Sequence, residues 1–96
     1  MLVESMANSW STYRNGVVYA SQHNDFDSAI LFLKGMVAVL PPNNQPVLPP
    51  IPVPKDIRED LTMAKKKWQW LVEAMPMVEG SISRWVHMNL DRAGVA

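Results

Sequence analysis

Few residues in this chain have both the type and the spacing that chemistry needs. His23, Asp25 and Asp27 stand at alternate positions and offer one nitrogen and two carboxylate ligands, the beginning of a metal site. Their surroundings supply no fourth ligand and no glycine turn, so the triplet reads as a polar loop with a helix cap, and no metal is expected. His87 stands alone late in the last helical stretch, where its charged form suits the helix dipole. No serine, histidine and acid follow a catalytic spacing, and Gly16, Gly35, Gly80 and Gly94 are too scattered to cradle a phosphate. Without cysteine there is no thiolate nucleophile and no Cys-type zinc cluster. The sequence therefore predicts a chain that is not an enzyme and needs no cofactor.

Lys65, Lys66 and Lys67 followed by Trp68 and Trp70 resemble a basic surface with stacking groups for nucleic acid. On a helix, however, three successive lysines spread over about 200° of arc, and the apolar spacing puts Trp68 in a buried seam. Nine basic residues balance nine acidic ones, for a formal charge of zero. Divided at Pro54, the first part holds two basic and three acidic residues, the second seven and six. That asymmetry is too weak to name a polyanionic partner. Nucleic acid is accordingly the second-ranked partner, behind protein.

The elements that must position these residues are mainly helical. At 96 residues, with 48% apolar and 19% charged, the chain is one small globular unit with a modest core. It falls into three stretches: 1–40, 41–54 and 55–96. In the first, Asn15-Gly16 between runs rich in β-branched and aromatic residues gives the signature of a β-hairpin over 9–22. Met6, Trp10, Tyr13, Val17 and Ala20 also mark a helical seam in the same letters. The hairpin is placed slightly ahead. Asn24, Asp25 or Asp27 then caps a helix that runs to about Leu40 and ends at Pro41-Pro42. Phe26, Ile30, Leu33, Met36, Val37 and Leu40 help make it apolar nearly all round, so a partner or a second copy is expected to cover part of it. Gly35 in its interior suggests a close crossing by another backbone. The run Ala29 to Leu40, about twelve residues interrupted by Lys34 and Gly35, falls short of the roughly twenty that span a bilayer. Met1 to Ser9 carries Glu4 and does not read as a signal peptide, which leaves a cytoplasmic or virion-like setting open.

Seven of the eight prolines lie between Pro41 and Pro54. Proline fixes φ, so this stretch is expected to be an extended polyproline strap. At about 3.1 Å per residue it would reach roughly 43 Å, close to the roughly 44 Å of a helix from Ile57 to Trp85. Pro46, Pro49 and Pro52 share one face of a three-residue period. The strap is expected to pack on Trp68 and Trp70 or in a partner's groove.

Ile57, Leu61, Ala64, Trp68, Leu71, Met75, Val78, Ile82 and Trp85 then form a seam at spacings of four and three. Pro54 suits the first helical position, Asp56, Glu59 and Asp60 suit the first turn, and Gly94 suits a left-handed cap at the end. Pro76 should break the element between Met75 and Gly80.

Val72 to Trp85 resembles the helix-turn-helix of phage and bacterial repressors, in the residues around Gly80-Ser81-Ile82-Ser83-Arg84-Trp85. The resemblance implies that Ser81, Ser83 and Arg84 face DNA while Ile82 and Trp85 anchor the recognition helix. Pro76 replaces the glycine usual in that turn, and zero net charge gives little sequence-independent affinity.

The leading expectation is a non-catalytic subunit of a larger assembly, for example a virion or multi-subunit complex, or one that self-associates. It would use the apolar helix together with Pro46, Pro49, Pro52, Trp68, Trp70 and Trp85. A small DNA-binding regulator is the alternative.

Overall fold

The computed structural model describes the backbone of residues 2–53 and 61–94. It contains three α-helices, α1 (Leu2–Gln22), α2 (Phe26–Val39) and α3 (Leu61–Gly94), with one 3₁₀ turn at Pro42–Asn44. No strand occurs among the described residues. The expected starting signals at Pro54, Asp56, Glu59 and Asp60, and the seam residue Ile57, lie outside them.

α1 replaces the expected hairpin. Its seam is the helical one, with Trp10, Val17 and Ala20 buried and Met6 and Tyr13 packed at the margin. Asn15-Gly16 lies inside the helix because Gly16 is a slot: a Cβ there would stand 2.6 Å from Cγ of Phe32. Gly35 is the reciprocal slot on α2, where a Cβ would stand 2.6 Å from Cε1 of Tyr13. The close crossing at Gly35 is thus made by an aromatic ring and not by a backbone. Two glycine–aromatic pairs lock the antiparallel hairpin of α1 and α2.

The turn between them is short because its residues serve both helices. Asn24 adopts φ 59°, while the Asp25 N–H reaches the carbonyl of Ala20 at 2.8 Å and the Asn24 N–H that of Ser21 at 3.1 Å. These are the two bonds of a Schellman ending, with asparagine tolerating the left-handed position. Asp25 then caps α2, accepting from the Ser28 N–H at 3.2 Å.

α2 stops at Val39 because of the prolines after it. Val37 would normally receive the N–H of residue 41, which is proline; the Leu40 N–H bonds Val37 instead, at 3.0 Å. Met36 is left without that donor, and the indole N–H of Trp10 supplies one at 3.0 Å in a buried site.

α3 runs through Pro76 without the expected break, and Gly94 is its last described residue, not a left-handed residue beyond it. Proline removes the N–H that would bond the carbonyl of Val72. Both Val72 and Pro76 are exposed, so water can serve that carbonyl and the helix continues. Its 34 residues make a rod about 51 Å long. It lies antiparallel to α1, as Trp10 meets Trp85 edge to face at 5.8 Å and Arg14 bonds Glu79 at 2.9 Å. At the other end Lys67 bonds Asp27 of α2 at 2.8 Å.

Residues 41–53 return the chain from the end of α2 toward the start of α3. Gln45 anchors the departure with a side-chain bond to the carbonyl of Leu40 at 2.9 Å. Pro46, Pro49 and Pro52 are half-buried while Val47, Pro50 and Val53 are exposed, a period of three. Leu48 and Ile51 pack on the core. Trp70 donates its indole N–H to the carbonyl of Pro49 at 2.8 Å. Of the two tryptophans expected beneath the strap, Trp70 makes this bond; Trp68 stacks at an angle on Phe26, ring centroids 6.0 Å apart.

Candidate docking groove

The buried face of α3 is displaced from the expected seam. Lys67, Trp70, Leu71, Ala74, Val78, Ser81 and Trp85 are buried. Leu61 and Trp68, predicted to join them, are 90% and 47% exposed. The helix carries two adjoining apolar stripes, and α1 and α2 cover only one. Lys67 accordingly leaves the expected solvated lysine face, lying in the core margin beside Asp27, while Lys65 and Lys66 remain exposed.

The uncovered stripe forms one wall of a groove. α1 and α3 are held together by Trp10–Trp85 and Arg14–Glu79. The space between them, about 410 Å³, is lined by Val17, Val18, Ser21 and Gln22 from α1 and by Trp68, Leu71, Val72 and Met75 from α3. Ser21 and Trp68 are shared with a second hollow bounded by Asn24, Phe26, Leu61, Ala64 and Lys65. The α3 residues lining the two hollows run from Leu61 to Met75, about 21 Å at the helical rise. Val18 and Val72 stand 47% and 54% exposed on opposite sides. An apolar hollow between two helices is a form that accepts an amphipathic helix.

The residues expected to meet a partner through α2 have a different place. Ile30, Leu33, Met36 and Leu40 are buried in the chain's own core, and Phe26 and Val37 pack against it. Trp70 and Trp85 are likewise internal. The large apolar side chain left outward on α2 is Leu31, while Phe32 keeps an exposed edge beside the Gly16 slot. Of the aromatic residues singled out in the sequence, Trp68 borders both hollows and Phe26 the second, whereas Trp70 and Trp85 line neither. Val18 carried no signal in the sequence.

The helix-turn-helix geometry is absent, since Val72 to Trp85 is uninterrupted helix. Ser81 is buried and accepts a bond from Arg84 at 3.2 Å, so it cannot face DNA, while Ser83 and Arg84 are exposed.

The polar triplet is dispersed among local tasks. His23 packs on Tyr19 with ring centroids 4.3 Å apart, Asp25 caps α2 and Asp27 holds Lys67. Ser28 lowers the pKa of Asp25, since its side chain and its backbone N–H both hydrogen-bond the carboxylate. Among the described residues no three His, Asp or Glu side chains converge as a metal site would require. No described helix is long and apolar enough to cross a membrane.

Comparison with protein families, with characterised proteins and with solved structures returns no match for this chain.

Proposed function

We propose that the chain is a non-catalytic interaction subunit that docks through the groove between α1 and α3. The observation that carries this reading is the exposed continuation of an apolar helical stripe. Leu61, Trp68 and Val72 keep core-like spacing on α3 yet remain open to solvent opposite Val18. Adjoining exposed apolar residues of this kind are a candidate interaction surface. The central tryptophan fits the residue type that anchors interfaces.

The strap acts in this reading as a stiff polyproline II crossover. Backbone angles of φ −56°, ψ 147° at Pro41 and φ −76°, ψ 135° at Gln45 support it. So does the three-residue exposure period. Covering the α2–α3 side, it leaves the α1–α3 side for the partner.

The test is the size of the native complex in an extract of cells that make the protein. The wild-type chain should elute well above its own 10.8 kDa, and Val72→Lys, which leaves the core intact, should elute as a monomer. A wild-type chain that elutes alone would overturn the reading.

A further inference from the structure

We propose that the two hollows beside α3 form a binding site for a single-chain amphiphile with an anionic head, of the class of long-chain carboxylates. This goes beyond the docking reading and does not rest on it, because it concerns the purified chain alone.

The polarity of the lining argues for it. The first hollow is walled chiefly by Val17, Val18, Leu71, Val72 and Met75, and none of its lining residues carries a formal charge. Its volume of about 410 Å³ lies within the roughly 300–1,000 Å³ of small-molecule sites. The second hollow is different. Asn24 and Lys65 border it, Ser21 is shared between the two, and Lys65 is the one charged residue in the lining of either. Lys65 is exposed and makes no ion pair with a described residue, so its ammonium group is open to an incoming anion. An apolar hollow that adjoins one bearing a hydroxyl, an amide and a single cation matches a ligand with an apolar tail and an anionic head.

Spacing and rigidity fit the same class. Met75 stands ten positions after Lys65 on α3, about 15 Å at the helical rise. An acyl chain of medium length can lie along that stretch. Trp68 borders both hollows, and its ring is already braced against Phe26 with centroids 6.0 Å apart. The wall at the junction therefore exists before a ligand arrives, which spares the cost of ordering it. A bound chain fills the space that a docked partner needs, so the two exclude each other.

Calorimetric titration of the purified full-length chain at neutral pH tests the site, with dodecanoate, octanoate and dodecyltrimethylammonium as probes, each below its micelle concentration. Dodecanoate should bind saturably, one per chain. Octanoate, with its shorter tail, should bind about tenfold more weakly or worse. Dodecyltrimethylammonium, which keeps the tail and reverses the charge, should bind about fivefold more weakly or worse. Lys65→Glu should invert the order of the two longer probes, and because Lys65 is exposed its thermal melt should match that of the wild type. Absence of saturable dodecanoate binding would overturn the site. Equal affinity of the wild type for dodecanoate and dodecyltrimethylammonium would overturn the anionic head, and so would an order left unchanged by Lys65→Glu; the wild-type comparison decides even where that variant fails to fold. A large complex in the native extract without dodecanoate binding leaves the docking reading standing alone, whereas binding by a chain that elutes alone leaves only the amphiphile site.

Discussion

The indole N–H of Trp10 donates to the main-chain carbonyl of Met36 at 3.0 Å, joining the middle of α1 to the last turn of α2. The bond exists because Pro41 has no N–H and the Leu40 N–H has moved to Val37. Trp10→Phe keeps most of the packing and removes the donor. It should cost about 1–3 kcal/mol, the penalty for a buried acceptor left unpaired, and lower the midpoint of a thermal melt by several degrees. An unchanged midpoint would show that the carbonyl has another partner.

The glycines of the three helices should respond with opposite signs. At Gly80 the nearest atom to an added Cβ is the flexible end of Arg84, 3.6 Å away, so Gly80→Ala should stabilise by about 1 kcal/mol through helix propensity. At Gly16 and Gly35 the added carbon would meet an aromatic ring at 2.6 Å. Gly16→Ala and Gly35→Ala should each destabilise by about 1–3 kcal/mol through overpacking, despite the better propensity. Denaturant melts of the three variants read the difference directly.

Much of this fold is legible in the sequence, and what is not legible has a spatial cause. The limits of α2 follow from an aspartate before it and two prolines after it, both local signals. Asn15-Gly16 misleads because the reason for Gly16 is Phe32, which local turn chemistry does not reveal. Pro76 misleads because its consequence depends on which side of α3 faces water. On α3 the apolar period is correct, but two stripes share it, and the positions of α1 and α2 decide which is covered. Trp68 could therefore be recognised as important without revealing that it stands in an open groove.

Asp25 should make stability depend on acidity. Its folded pKa lies below the ordinary value because Ser28 bonds the carboxylate. The contribution is complete above the unfolded pKa of about 3.9 and is lost as pH falls through the lower folded value. Asp25→Asn retains a capping oxygen without the charge. The advantage of wild type over Asp25→Asn should therefore shrink as pH falls through the ordinary carboxylate range and below it. A gap that stays constant in thermal melts over that range would contradict the role of the charged cap.

Trp70→Phe should release the strap while sparing the helices. The substitution removes the bond to the Pro49 carbonyl and retains an aromatic ring in the core. Amide hydrogen exchange should accelerate at Val47, Leu48, Ile51 and Val53 with little change in α1 and α2. Uniform acceleration across all three helices would mean that Trp70 supports the core as a whole.

The most direct test of the groove is the elution of the wild-type chain beside Val72→Lys from native extracts of cells that make each, with a thermal melt of each purified protein. Val72 is exposed, so the melts should agree within the small effect of a surface substitution, about 0.5 kcal/mol. The account predicts that the wild type elutes well above 10.8 kDa and that Val72→Lys elutes as the monomer. Equal elution of the two proteins would contradict it.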